Sequence, residues 1–139
     1  MKILIIGCGR VGSSVAKEMS EAGHEVTVID WSQEALNKAA ARGILGDSFR
    51  GTAIVGDGTD EDLLRRVGIE DADAFVAVTD GDNRNIMAAQ IAQYIFNVPK
   101  VVCRIYDPIR DDVYSDLGLQ TLCPTKVGSA RIQLMLQEA

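Results

Sequence analysis

The sequence predicts an α/β protein built on a doubly wound, parallel, six-stranded sheet with a C-terminal helix. Three observations predict it. Short apolar strand patterns and helical patterns alternate six times along 139 residues. The first apolar run, Lys2 to Ile6, passes straight into Gly7-Cys8-Gly9-Arg10-Val11-Gly12, which fits G-x-G-x-x-G. An acidic residue, Asp30, ends the second strand pattern 18 residues after Gly12.

The elements follow in order. A helix is expected over about Val11 to Ala22, with Val11, Val15, Ala16 and Met19 facing the sheet and Gly23 closing it. Glu25 to Ile29 reads as the second strand. Ser32 is placed to cap a helix running to about Arg42. Gly46, Asp47, Ser48 and Gly51 break the stretch from Ile44, and Thr52 to Val55 is the third strand. Thr59 is a candidate cap for the third helix, with Asp62 three residues on. Leu63, Leu64 and Val67 form that helix's apolar face, and Gly68 stops it.

Ala74 to Val78 is the fourth strand, and the next helix runs from Asp82 or Asn83 to about Phe96. Val101 to Ile105 is the fifth strand. Asp107-Pro108 opens a helix by pairing a capping carboxylate with a proline in the first turn. Its apolar face is Ile109, Val113, Tyr114 and Leu117, and Gly118 ends it. Leu119 to Cys123 is a short sixth strand ending at Pro124. The last helix, Thr125 to Ala139, has an apolar stripe of Val127, Ala130, Ile132, Leu134, Met135 and Leu136. That stripe is too broad for one sheet face. The helix either docks on something the sequence does not supply or packs on its own sheet. The whole is a Rossmann-type fold, expected strand order 3-2-1-4-5-6.

Bulk properties narrow the function classes. The length suits one domain spanning residues 1–139. A formal net charge of −6 argues against nucleic acid as a partner. No apolar run approaches the roughly eighteen residues of a membrane span, and because Met1 leads almost directly into the first strand no signal peptide is expected. Cys8, Cys103 and Cys123 contain no C-x-x-C and read as small buried residues in a reducing cytoplasm. The sole histidine, His24, sits in a helix-to-strand turn, so no metal site is expected.

The glycine loop carries the chemistry. Gly7 lets the chain turn off the strand, a side chain at Gly9 would obstruct a pyrophosphate, and Gly12 lets the helix approach the sheet. The helix N-terminus then offers free N–H groups and a positive dipole end to phosphates. Asp30 is placed to accept from ribose hydroxyls and to repel a 2′-phosphate. Trp31 either covers an adenine edge or is an amphipathic surface residue.

Several motifs together resemble one family. They are the glycine loop, Asp30, Gly56-Asp57-Gly58-Thr59-Asp60 with Leu63-Leu64, Gly68-Ile69 and Ala72-Asp73, then Val76 to Asp80 with Asn85, and Arg104-Ile105-Tyr106-Asp107-Pro108. The chain resembles the nucleotide-binding N-terminal domain of TrkA/KtrA-type potassium-uptake regulators, the KTN or RCK domain. Two departures are visible. The Gly43 to Gly51 stretch is longer than the usual link, and the family's C-terminal RCK subdomain is expected to lie outside this sequence.

The resemblance implies a cytoplasmic, non-catalytic regulator. It would sit at the inner face of the plasma membrane through a TrkH/KtrB-like potassium-transport subunit, as a homodimer or higher ring. Its ligand would be NAD(H) or ATP/ADP. Asp57 would accept from the adenine amino group, with Gly58 leaving room for the ring. Thr79 and Asp80 border the phosphate or ribose side, or belong to a helix cap. Arg104 pairs with a phosphate, with a site carboxylate, or in a strand-end ion pair. Arg10 reaches a terminal phosphate, lying near a subunit interface in similar proteins, or is simply solvated. The alternative is a fragment of an NAD-dependent oxidoreductase, but no Ser/Tyr/Lys or His/Asp set is placed for hydride transfer. A weaker third reading is NAD-redox sensing coupled to another partner.

Overall fold

A computed structural model describes residues 1–45 and 49–138. Its six strands are β1 (Lys2–Ile6), β2 (Glu25–Asp30), β3 (Thr52–Val55), β4 (Ala74–Ala77), β5 (Lys100–Arg104) and β6 (Gln120–Leu122). They form one sheet in the order β3-β2-β1-β4-β5-β6, every pair parallel. The helices are α1 (Arg10–Glu21), α2 (Gln33–Ala41), α3 (Glu61–Arg66), α4 (Asp82–Gln90), α5 (Pro108–Asp116) and α6 (Pro124–Gln137). The order reverses between β1 and β4, so a crevice opens there beyond the strands' carboxyl ends.

Alternation along each strand divides the core. Ile3 and Ile5 face one layer with Val26, Val28, Ala16 of α1 and Leu36 and Ala39 of α2. Leu4 and Ile6 face the other with Phe75, Leu64 of α3 and Ile86, Ala88 and Ala89 of α4. Burial on both faces explains why β1 is continuously apolar.

Several expectations on the elements are corrected. Val11 is exposed, because Gly12, Ser13 and Ala16 take the inner face of α1. Asp60, not Thr59, caps α3, accepting from the amides of Asp62 and Leu63. Helix α4 continues as a π-helical turn over Ile91–Ile95, and a short 3-10 turn spans Ile69–Asp71. On α5, Ile109, Val113 and Leu117 face outward and Asp111 is buried instead. Gly46, Asp47 and Ser48 lie outside the described residues.

Helix α6 does not pack on its own sheet, and none of its described residues is buried. Among the described residues, only its first turn is fastened. The Thr125 hydroxyl donates to the Tyr106 carbonyl at 2.9 Å, and the Lys126 Nζ meets Asp111 at 2.8 Å and also pairs with Asp112. Beyond that turn Ile132, Leu134, Met135 and Leu136 are exposed, Leu136 to 80%.

Candidate functional site

The crevice is assembled from the strand ends. Gly7 leaves β1 at φ +111°, donating to the Ile29 carbonyl at 2.8 Å. A Cβ there would lie 2.7 Å from the Val78 carbonyl carbon and oxygen, so glycine is demanded by conformation and by contact with the residue that follows β4. A Cβ at Gly12 would collide with the Gly7 carbonyl oxygen. Helix α1 therefore lies against the loop. A Cβ at Gly9 meets no protein atom within 4 Å. Gly9 occupies the N-cap position without a side-chain cap, leaving first-turn N–H groups of α1 for another acceptor.

The Asp30 carboxylate fixes this loop. Its Oδ2 accepts from the Cys8 amide and its Oδ1 from the Ser32 amide, both at 2.8 Å. An ionised carboxylate has about four lone-pair directions, so two remain for hydroxyl donors. The Cys8 side chain points into the core, where burial first and the Asp30 charge second push its thiol up to about 11. Cys8 thus serves the site through its amide.

At the end of β3, Asp57 Oδ1 accepts from the Thr59 hydroxyl at 2.7 Å and its amide at 2.9 Å. These bonds, the side-chain one foremost, hold the carboxyl below its ordinary range against partial burial, and the Arg84 charge adds to them. Asp57 is therefore an ionised acceptor at neutral pH. Gly58 is packed against Ile6, whose Cγ2 a Cβ would strike. Its lack of a side chain serves this contact.

Beyond β4, Asn85 is fully buried and uses its whole amide. Its Oδ1 accepts from the Thr79 amide (2.8 Å) and hydroxyl (2.6 Å), and its Nδ2 donates to the carbonyls of Thr79 (2.9 Å) and Arg104 (3.0 Å). Arg104 is buried beneath this turn, donating from Nη2 to the carbonyls of Val78 (2.8 Å) and Thr79 (3.0 Å). Its nearest carboxylate, the fully exposed Asp80, is 3.9 Å away. Arg104 shapes the turn from behind.

A cavity of about 690 Å³ results. It brings together Gly7, Gly9, Asp30 and Trp31 with Asp57, Gly58, Thr79 and Asp80. Cys8, Arg10, Val11, Gly12 and Arg104 are not among its lining residues. Arg10 is exposed at the start of α1, and among the described residues its guanidinium has no hydrogen bond or ion pair. Sequence reasoning missed Asn83 and Arg84, which line the cavity from the first turn of α4. The expected β1–β4 adjacency was the signal that could have found them.

The TrkA-N domain family matches residues 3–124. The Trk system potassium uptake protein TrkA of Streptomyces coelicolor is 46% identical over 126 residues, covering 91% of this chain and 54% of that protein. The chain spans about half the length of the curated relatives it matches first. Two solved structures share the fold. One is the NAD(P)-binding domain of an exopolyphosphatase-related protein from Archaeoglobus fulgidus (TM-score 0.75, 20% identity, 98% of each chain). The other is the Shewanella denitrificans Kef CTD in AMP-bound form (TM-score 0.77, 21% identity, 100% of this chain and 84% of that one).

Proposed function

The chain belongs to the TrkA-N domain family, and on that premise we propose that it is a non-catalytic regulatory domain that binds an adenine nucleotide and passes the ligand's identity to a membrane potassium-transport subunit. One observation carries the ligand half of this reading. A carboxylate anchored by two amides, Asp30, stands at the mouth of a crevice at the topological switch point, beside an uncapped helix N-terminus. Ribose hydroxyls suit the first feature and phosphates the second. The AMP-bound and NAD(P)-binding fold neighbours support the same ligand class.

The potassium half draws its support from the relatives named as Trk potassium uptake proteins. The ligand is NAD(H) or ATP/ADP, and the domain works in the cytoplasm, held at the inner membrane face by its membrane subunit. Exposed apolar residues on α5 and α6 support a homodimer or higher ring. Arg10 would answer to a terminal phosphate, so that ATP and ADP favour different subunit arrangements to the extent that their affinities for the two differ. Among the described residues, the charged side chains lining the crevice are three carboxylates and one guanidinium, a set suited to binding. An NAD-dependent oxidoreductase fragment would instead need a proton donor beside the nicotinamide.

A thermal-shift series with ATP, ADP, NAD and NADH tests the reading. A ligand at about 100 times its Kd adds roughly 2.7 kcal/mol of stability. No shift with any of the four contradicts it. Arg10→Ala is expected to weaken ATP more than NAD, and equal losses would remove Arg10 from the mechanism. Turnover of a 2-hydroxy acid or aldehyde with the NAD couple would favour the enzyme.

A further inference from the structure

We propose that Arg84 is a phosphate-binding residue of the crevice, and that it engages the ligand by exchanging the Trp31 indole for a phosphate. The proposal rests on the nucleotide reading above and names a residue which that reading does not use. Arg84 stands in the first turn of α4, after β4, whereas Trp31 follows β2. Its Cζ nevertheless lies 3.2 Å from the centroid of the Trp31 ring. The pair therefore spans the crevice from one half of the sheet to the other, and both residues line it.

Charge balance points to the ligand group. Asp30, Asp57 and Asp80 line the crevice, and Arg84 is the one cationic side chain lining it among the described residues. A phosphate entering there adds negative charge to a site already holding three carboxylates. The α1 N-terminus offers N–H groups and a partial positive charge, and a full cation must supply the rest. Arg104 is buried, with its Nη2 donating to backbone carbonyls, and Arg10 lies outside the lining. Arg84 remains, and its charge already reaches into the crevice as far as Asp57.

The exchange is favourable on the contacts involved. Trp31 is 65% exposed, and a cation resting on an exposed ring is weakly held. Among the described residues Arg84 has no ion pair to give up. A guanidinium and a phosphate form charge-assisted, often bidentate hydrogen bonds, which are stronger than a surface cation–π contact. The planar fork also explains why arginine is better suited here than lysine.

Calorimetric titration of the wild type and Arg84→Ala with adenosine, AMP and ADP tests this, with emission from Trp31, the sole tryptophan, read in parallel. Arg84 is half-exposed, and thermal unfolding checks that the variant folds. The expected result is a loss of tenfold or more in AMP and ADP affinity, with adenosine within twofold. At saturation, the emission with ADP should differ from that with adenosine in the wild type and coincide with it in R84A. Unchanged AMP and ADP affinity in R84A, an equal loss for adenosine, or coincident wild-type emission would overturn the assignment of Arg84 while leaving nucleotide binding in place. Failure of all three compounds to bind the wild type would overturn the nucleotide reading as well.

Discussion

The Asp30 carboxylate accepts a hydrogen bond from the Cys8 amide at 2.8 Å, tying the end of β2 to the glycine loop that leaves β1. The same side chain is thus a structural pin and the proposed ribose acceptor. Replacing it affects both. Asp30→Ala loses the bonds to Cys8 and Ser32 and should cost about 2 kcal/mol of stability, at roughly 1 kcal/mol each, whereas Asp30→Asn keeps one acceptor and loses about half as much. Both variants should bind nucleotide far more weakly. Denaturant unfolding with parallel calorimetry checks this. Full affinity in D30A would contradict the role in binding.

The glycines of the loop separate stability from binding. At Gly12 a methyl group meets the Gly7 carbonyl oxygen, while at Gly9 it meets nothing within 4 Å. Gly12→Ala should therefore destabilise by about 3 kcal/mol or more through overpacking against backbone. Gly9→Ala should stay within about 0.5 kcal/mol of wild type, as substitutions without a structural neighbour do. If a pyrophosphate lies over Gly9, G9A will nevertheless lose nucleotide affinity. Equal stability losses for the two variants, or full affinity in G9A, would contradict this division.

Asn85 is expected to be the most sensitive polar residue of the site. Asn85→Ala leaves the Thr79 amide and the Arg104 carbonyl without their Asn85 partner in a buried setting, while the Thr79 carbonyl keeps only the Arg104 Nη2, a loss of about 3 kcal/mol. Asn85→Asp keeps the acceptor but cannot donate at neutral pH, and brings a carboxylate to the Arg104 carbonyl. It should therefore be no better than the alanine variant by thermal unfolding.

The fastening of α6 should carry a pH signature. Burial raises the Asp111 carboxyl, but the Lys126 hydrogen bond and charge, aided by Thr121, outweigh it and hold it below its ordinary 3.8. A depressed carboxyl stabilises above its unfolded value, and the stabilisation disappears as pH falls through the folded one. Lys126 is shifted the other way, upward, by Asp111 and Asp112, so its share persists until strongly alkaline pH. Lys126→Met should be destabilised relative to wild type at neutral pH, with the difference closing below about pH 3.8. Melting curves from pH 2 to 8 measure this. A gap that stays constant into acid would contradict it.

Much of the fold was legible because each strand–helix unit carries its own punctuation. The strand order follows from six alternations, and Asp30 from its spacing behind the glycine loop. What escaped depended on competition or on distance. Thr59 looked like the cap of α3, but its hydroxyl and amide are taken by Asp57, and Asp60 caps instead. The stripe Ile109, Val113 and Leu117 has helical spacing, which says that a face exists but not that it points inward. Asp111 took the inner position because Lys126, from another helix, pairs with it there. Arg104 was open to a phosphate, a site carboxylate or a strand-end ion pair, and its Nη2 lies 3.9 Å from Asp80, but its hydrogen bonds to the Val78 and Thr79 carbonyls had no signal in the sequence. Arg84 carries no local signal, since its contact with Trp31 exists only once β2 and β4 flank β1.

Amide chemical-shift mapping with ATP, ADP and NAD in turn is the most direct test of the central claim. The account predicts that at least one of them perturbs a contiguous set of amides at the crevice, led by Cys8, Gly9, Ser32 and Gly58, with those of Cys8 and Ser32 reporting the carboxylate between them. Spectra unchanged by all three, or changes confined to α5 and α6, would contradict it.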